Sequence, residues 1–464
     1  MFTIKHSIII ALILLLFPST INFAQENGGL PIYVVEPGEN LTEIADKFNI
    51  SLDALINANN ILDLNLISTG TELLIPGLAG VSGVLTTEPT AFGDTYQSLL
   101  RKFGLSEATF RLLNTVTSPS EIYAGSTLVL PQSKTQDVVA FKGNIAPMDS
   151  LLTLAIKTGE NYWKLSNTNH LASHLFLPGE KFFYISDHES RSVISLDSKI
   201  EVNPLPISQG HTVVVRIYAQ DAELLTGTLG VKQLHFYKDT EGGFFYALDG
   251  ISAIAEPGLI PLGLTGTVEG HEFVMEQNLL LTSGGYQKEE LTVEQTTIEQ
   301  DVVLEESAQI NTILSPNSTE KLWNGEFRFP VDGSLTDDTI GFSSYFGNRR
   351  SYNNGSFYGF HGGLDFKVVL MSLNIYAPAN GIVVYAGPMD IRGNTTFIDH
   401  GQGVYSGYGH QSEIKVSVGD YVEKGQVIGL IGKTGRVTGP HLHWDIWVNG
   451  DQVEPFDWID NVYP

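Results

Sequence analysis

Cysteine is absent from all 464 residues. No disulfide can brace the chain, no lipid can be attached through a thiol, and the domains must be held by packed cores. A metal site built here has only nitrogen and oxygen donors, which zinc accepts readily. Basic residues are few: Lys and Arg number 26 against 52 Asp and Glu, a formal charge of -26. A nucleic-acid binder needs a basic face for phosphates, so no nucleic-acid partner is expected. Beyond the N-terminus no apolar run reaches the roughly 20 residues that a membrane span requires. Histidine is scarce as well, 12 in the chain, and unevenly placed.

What is present suffices for several domains. Apolar residues make up 42%, with 24 Phe and 5 Trp, and single cores stop growing near ~250 residues. Residues 1–25 read as a secretion signal. Lys5 and His6 precede the apolar run Ile8 to Phe17, then Pro18, Ser19 and a cut after Ala24, with Asn22 an imperfect residue for that site. An uncleaved anchor is the competing reading. The expected location is secreted or cell envelope (periplasm or cell wall), with no stable membrane span after signal cleavage.

Residues 31–77 have the order strand, helix, helix, strand. Tyr33 to Val35 is a strand, Pro37-Gly38 a turn, and Leu41, Ile44, Ala45 and Phe48 recur at helical spacing. Ser51 caps a second helix whose stripe is Leu52, Leu55 and Ile56. Gly70 turns the chain into Leu73-Leu74-Ile75, stopped by Pro76. The order recurs more faintly over 84–132 and 140–187, with closing strands near 76, 131 and 185, a period of about 50–55 residues that marks tandem modules.

The first module closely resembles the LysM module, which binds N-acetylglucosamine-containing polymers such as peptidoglycan and chitin. The resemblance rests on Glu36 to Leu41, Asn57, Asn59 and Ile75-Pro76, with Glu39-Asn40 standing where family members often have Asp-Thr. It implies glycan contacts from Gly38, Glu39, Asn40, Leu41, Asn57 and Asn59. The second copy is a degenerate LysM-like module. The third resembles LysM weakly, and a structural spacer competes there with glycan binding.

Residues 200–283 alternate like strands between Gly, Pro and Asp, and suggest a small β-sandwich serving as a spacer or as a cover for the C-terminal domain. His211, His235 and His271 share no ligand-like spacing and read as ordinary sheet or loop residues. Residues 284–322, rich in Thr, Glu and Gln, read as an acidic linker, with some alternation from Val293 to Ile310.

Residues 323–464 read as a compact antiparallel β-domain. Candidate strands are Asn374–Ala377, Gly381–Ala386, Thr395–Asp399, Val404–His410, Gln426–Ile431 and His441–Val448. His441 and His443 are two apart, so in a strand they face one side together with Asp445, while Leu442, Trp444, Ile446 and Val448 face the core. His361 and Asp365 are four apart, ~13 Å along an extended strand. Gly362-Gly363 can fold that gap into a turn. His361, Asp365 and one histidine of the pair would then make a metal triad with a fourth position open, as catalytic zinc requires. His410, ending its strand, and the other member of the pair remain for proton transfer and oxyanion stabilisation near neutral pH.

The same residues resemble the lysostaphin-type (LytM-type) zinc metallopeptidases over roughly residues 341–457. In that likeness His361, Asp365 and His443 match the zinc ligands, and His410 and His441 the catalytic histidines. Thr438-Gly439-Pro440, Asn449-Gly450 and Pro455 occupy family positions, and His400 matches a frequent loop position that is not a ligand. Departures are Trp444-Asp445 where the family often has Phe-Glu, and Gly407-Tyr408-Gly409 before the catalytic histidine. The resemblance implies a duplicated-hybrid-motif sheet, Zn2+ as cofactor, and hydrolysis of cross-links or stem peptides in bacterial peptidoglycan, targeted by LysM. A non-catalytic wall-binding scaffold or activator of another hydrolase is the alternative, and a sugar-cleaving enzyme would need a carboxylate pair instead.

Overall fold

The computed structural model describes residues 30–464 except 64–66, 79, 104, 117, 119–120, 133–139, 146–148, 159–160, 170–180, 186–198, 220–221, 240–241, 269–270, 316–317, 334–340 and 368–373. The expected secretion signal lies outside the described residues, and among those residues no helix is long and apolar enough to cross a membrane. They form two compact units. The first takes residues up to 86 with 112–115 and 130–132, and the second takes the remainder.

In the first unit β1 (Ile32–Val34), α1 (Leu41–Lys47), α2 (Leu52–Asn59) and β2 (Glu72–Leu74) follow the expected order, and β1 and β2 pair antiparallel with Tyr33 opposite Leu73. Asn40 starts α1 through a capping box with Glu43, and Ser51 caps α2, so orphan backbone N–H groups at both helix starts are satisfied. Tyr33, Leu41, Ile44, Leu55 and Leu73 are buried together as the module's core.

The same βααβ order returns in β3 (Val84–Pro89), α3 (Tyr96–Phe103), α4 (Glu107–Asn114) and β4 (Thr127–Pro131). It returns again in β5 (Ala140–Asn144), α5 (Leu151–Thr158), α6 (Tyr162–Thr168) and β6 (Lys181–Ile185). In the third module β5 and β6 pair antiparallel, and Leu151, Leu154, Leu165 and Phe182 share a core.

Nine strands follow: β7 (Lys199–Asn203), β8 (Ile207–Ser208), β9 (Thr212–Tyr218), β10 (Ala222–Leu229), β11 (Lys232–Leu234), β12 (Tyr237–Lys238), β13 (Phe245–Gly250), β14 (Gly258–Val268) and β15 (His271–Thr282). They make two sheets, ordered β11-β10-β14-β15-β8 and β12-β13-β9-β7. Alternation puts Val213, Val215 and Ile217 of β9 into one core with Leu262, Leu264, Leu279 and Leu281 of the β14–β15 hairpin. The other face of the smaller sheet sends Val214, Tyr246 and Leu248 into the core of the C-terminal domain. Residues 200–283 are therefore joined to that domain by packing, and none of the described residues among them lines its cleft, unlike the cover considered from the sequence.

Residues 284–322 also differ from the linker expected. They hold β16 (Lys288–Leu291), a 3-10 turn at Gln295–Ile298 and the 14-residue helix α7 (Gln300–Ile313). The buried residues of α7 are Glu306 and Ile310. A helix that buries so little apolar surface leaves almost no stripe in its sequence, and its Glu-rich composition reads as linker.

The remaining strands are β17 (Phe342–Ser344), β18 (Arg349–Tyr352), β19 (Phe357–Phe360), β20 (Leu364–Lys367), β21 (Asn374–Tyr376), β22 (Gly381–Met389), β23 (Gly393–Gly401), β24 (Val404–Ile414), β25 (Tyr421–Val422), β26 (Val427–Ile431), β27 (His441–Val448) and β28 (Asp451–Val453), closed by α8 (Pro455–Asp460). The main sheet runs β17-β20-β27-β24-β23-β22-β25, with β21, β26 and β28 attached, and its strand pairs are antiparallel. A smaller sheet, β16-β18-β19, joins the former linker region to the domain. Leu442, Trp444, Ile446 and Val448 on β27 are fully buried with Leu364 and Phe366 on β20. That alternation leaves the odd-numbered side chains of β27 for the opposite face.

Candidate metal centre

Strand register brings the site together. On β20 and β27, Asp365 lies opposite His443 and Lys367 opposite His441; on the other side of β27, Gly409 of β24 lies opposite His443. Three neighbouring strands thus present Asp365, His443 and the Gly409-His410 segment in one row. Gly362 and Gly363 fold the chain just ahead of β20 so that His361 returns over the same row. Glycine is needed at 363, because a Cβ there would sit 2.2 Å from the Trp444 carbonyl oxygen.

His410 departs from the expectation that it ends a strand. β24 continues to Ile414, and His410 sits at an irregularity in its pairing with β23, with φ +62°. Its N–H donates to the Arg392 carbonyl at 2.8 Å. Such a bulge re-aims one side chain out of the regular alternation, here towards the histidines of β27. The His410 and His441 rings lie 4.7 Å apart, centroid to centroid, and His410 and His443 lie 6.1 Å apart.

Three donor atoms converge. His361 Nε2 is 2.9 Å from Asp365 Oδ1 and 3.1 Å from His443 Nδ1, and His443 Nδ1 is 2.8 Å from the same oxygen. All three residues are buried or nearly so. Tetrahedral zinc, with bonds of about 2.0–2.2 Å, sets its ligand atoms about 3.3 Å apart, close to these separations. The tautomer argues the same way. His361 Nδ1–H donates to the Tyr345 carbonyl at 2.8 Å, so the neutral ring turns a lone pair at Nε2 towards a carboxylate oxygen and a second ring nitrogen. Lone pairs so arranged repel unless a metal ion, or a proton on His443 Nδ1, lies between them. Two imidazoles and a carboxylate therefore fit a zinc ion.

Burial pushes His361 down to about 4 despite the neighbouring Asp365. Burial alone would raise Asp365, but His361 and His443 outweigh it and hold the carboxyl well below the ordinary range. Burial would lower His443; hydrogen bonds to Asp365 and Asp445 reverse that and raise it. His410 is held well below its usual value by burial and then by His441 and His443. Its Nδ1–H donates to the Thr434 carbonyl at 2.7 Å, and that of His441 donates to the Gly439 carbonyl at 2.8 Å. In the neutral form of either ring, the lone pair is therefore on Nε2. His441 Nε2 is 3.6 Å from Asp365 Oδ1.

Several supporting residues escaped sequence reasoning. Arg350 Nη2 donates to Asp365 Oδ2 at 3.1 Å, and Arg350 Nε to Glu289 at 3.1 Å. Arg392 pairs with Asp445, which lies 3.7 Å from His443 Nε2. Glu306 on α7 accepts from the N–H groups of Ile391 and Arg392 at 2.6 and 3.2 Å, steadying the segment whose carbonyl holds His410. These are single charged residues with no spacing to betray them. The only signal available was a charge on otherwise strand-like or apolar neighbours. The centre opens into a cleft of about 420 Å³, with Val303, Ile310, Arg436 and Thr438 among its lining residues.

The six LysM-like positions take varied places. Glu39 accepts from the Tyr33 hydroxyl and the Glu36 N–H and pairs with Lys47. Asn40 caps α1, Leu41 is buried, and Asn59 exchanges two hydrogen bonds with the backbone of Leu74. Gly38 has φ +86°, and Asn57 is exposed on α2.

An antiparallel sheet carrying a buried His-Asp-His centre with further histidines at its open side defines a metallohydrolase. Residues 359–455 match the profile of peptidase family M23, and residues 33–76 and 91–131 match the LysM domain. The chain thus carries an M23-family zinc metallopeptidase domain behind N-terminal LysM domains. It is 38% identical over 126 residues to peptidoglycan DD-endopeptidase ShyA of Vibrio cholerae, which is 27% of this chain and 28% of that protein. It is 38% identical over 95 residues to DD-carboxypeptidase/endopeptidase Mpg of Neisseria meningitidis, 20% of this chain and 22% of that protein. The chain therefore spans about a quarter of the length of these relatives. Among solved structures, the catalytic domain of lysostaphin from Staphylococcus simulans is 28% identical with a TM-score of 0.21, covering 30% of this chain and 92% of that one.

Proposed function

We propose that this protein is a secreted or envelope-located zinc endopeptidase that hydrolyses amide bonds in the peptide cross-links or stem peptides of bacterial peptidoglycan. The observation that carries the reading is the convergence of His361, Asp365 and His443 on one point, with His410 and His441 on its open side. When bound, zinc would act there as a Lewis acid that polarises the scissile carbonyl and acidifies water. His410 and His441 do the proton work. With Nδ1–H committed to backbone carbonyls, each Nε2 is free to accept a proton from the attacking water and return it to the leaving amine. Once protonated, the same nitrogen can donate to the oxyanion. Burial and neighbouring histidines keep His410 neutral near pH 7, the state a general base needs.

The LysM domains would hold this site at its substrate and raise its effective concentration there. Glycan contact is assigned first to the exposed Gly38 turn and the exposed Asn57, since Glu39, Asn40, Leu41 and Asn59 also serve the module's own fold. The test is mass spectrometry of fragments released from purified peptidoglycan by the full chain, by its chelator-treated form and by His443→Ala. New amino termini in stem or bridge peptides, lost with chelator and in the variant, are expected. Wall binding without any release would overturn the enzymatic reading in favour of a scaffold.

A further inference from the structure

We infer that Glu289, far outside the family-matched segment, is a positioning residue for the metal centre, acting through Arg350 on Asp365. The inference rests on the zinc reading above. Glu289 stands on β16, which lies parallel to β18 with Glu289 opposite Arg350. Its two oxygens accept from Asn348 Nδ2 at 2.6 Å, from Ser344 Oγ at 2.8 and 3.0 Å, and from Arg350 Nε at 3.1 Å. Arg350 then gives Nη2 to Asp365 Oδ2 at 3.1 Å and to Ser344 Oγ at 2.9 Å. Ser344 Oγ in turn lies 3.1 Å from His361 Nδ1. One carboxylate therefore reaches the supports of two of the three donor residues.

The physical point is which oxygen of Asp365 is left over. A guanidinium fork prefers to take both oxygens of a carboxylate. Here Glu289 occupies Nε, so Arg350 holds Asp365 by Oδ2 alone. Oδ1 is left facing His361 and His443, where an ion would lie. Without Glu289, Arg350 can turn its whole fork on Asp365 and draw Oδ1 away. Glu289 has 22% of its side chain accessible and Arg350 13%, so the pair is mostly shielded from solvent.

The experiment measures zinc affinity by chelator competition, and the visible absorption of the cobalt(II)-loaded protein, on full-length wild type, Glu289→Ala, Glu289→Gln, Arg350→Met and the Glu289→Ala/Arg350→Met double variant. Loss of an outer partner of a metal ligand weakens binding about 10–100-fold. A loss of that order is expected for Glu289→Ala, with an altered cobalt spectrum and unchanged melting of the zinc-free protein. The isosteric Glu289→Gln, which cannot fail for want of volume, should weaken zinc in the same direction. In the Arg350→Met background Glu289→Ala should add only a small part of its effect, that carried by Ser344. Affinities within twofold of wild type in both Glu289 variants overturn the inference, as does a full loss that persists without Arg350. Failure of the wild type itself to bind zinc would instead overturn the metallopeptidase reading.

Discussion

His443 and Asp365 stand directly across from one another on neighbouring antiparallel strands, with Nδ1 and Oδ1 2.8 Å apart. The pairing of β20 with β27 is thus the device that builds the centre. A slip of one residue would turn every side chain of a strand to its other face, sending Leu442 and Trp444 to the cleft and both histidines into the core. Core packing and metal geometry specify the same register.

Replacing Asp365 by Asn removes the anionic donor and leaves Arg350 with Glu289 as its one remaining carboxylate partner. Zinc content, measured on the purified protein, should fall from about one per chain to a small fraction, and peptide release from peptidoglycan should disappear with it. Stoichiometric zinc in Asp365→Asn would mean that the triad has been misassigned.

Gly363 is a steric hinge. An alanine Cβ would press on the backbone of Trp444 at 2.2 Å, where no flexible side chain can yield. Overpacking of this kind costs about 1–3 kcal/mol, and the strain falls on the β20–β27 pair. Gly363→Ala should lower both the melting temperature and zinc affinity; a variant with wild-type values for both would show that β20 has more room than its register implies.

Leu248 belongs to the middle sheets by sequence and to the peptidase core by packing, alongside Val214 and Tyr246. Leu248→Ala should destabilise by about 2–5 kcal/mol. The loss should be read equally by a probe on the middle sheets and by one on the peptidase sheet, as a core shared between the two requires. Two separated transitions, with only the first shifted, would contradict the shared core.

Acid and base should act on the α8 junction with a definite sign. Burial, with help from Asp457, pushes Glu454 up to about 7. A folded-state value above the unfolded one favours the neutral form in the fold. That contribution is complete below the unfolded value near 4.5 and is lost as pH rises through about 7. His211, raised by its hydrogen bond to Asp457, loses its contribution in the same direction. Buried neutral histidines such as His361 and His400 act oppositely, so the informative quantity is a difference. From pH 5 to 8 Glu454→Gln should gain in melting temperature relative to wild type; a constant difference across that range would refute the assignment.

The histidines of β27 were legible because an alternating strand has only two faces, and His441-Leu442-His443-Trp444 sorts onto them without ambiguity. The LysM order was legible for the same kind of reason: short stripes punctuated by the Pro37-Gly38 turn and a cap at Ser51, while the cap at Asn40 was not read. Glu289, Arg350, Glu306 and Arg392 were not. Each works by a single charge meeting a partner far along the chain, and no period records such a meeting. The bend at His410 was hidden because a bulge leaves alternation intact on both sides. Helix α7 escaped because it docks through Glu306 and Ile310 rather than through a continuous apolar stripe.

The packing of Val214, Tyr246 and Leu248 beneath the peptidase sheet changes where this catalyst can be cut from its parent. A graft that begins at residue 323, where composition suggests a seam, would strip away the floor of the hydrophobic interior together with Glu289 and Glu306. A transplantable cassette has to start near Lys199, so the smallest portable unit is nearly three times the length of the segment that the family profile recognises.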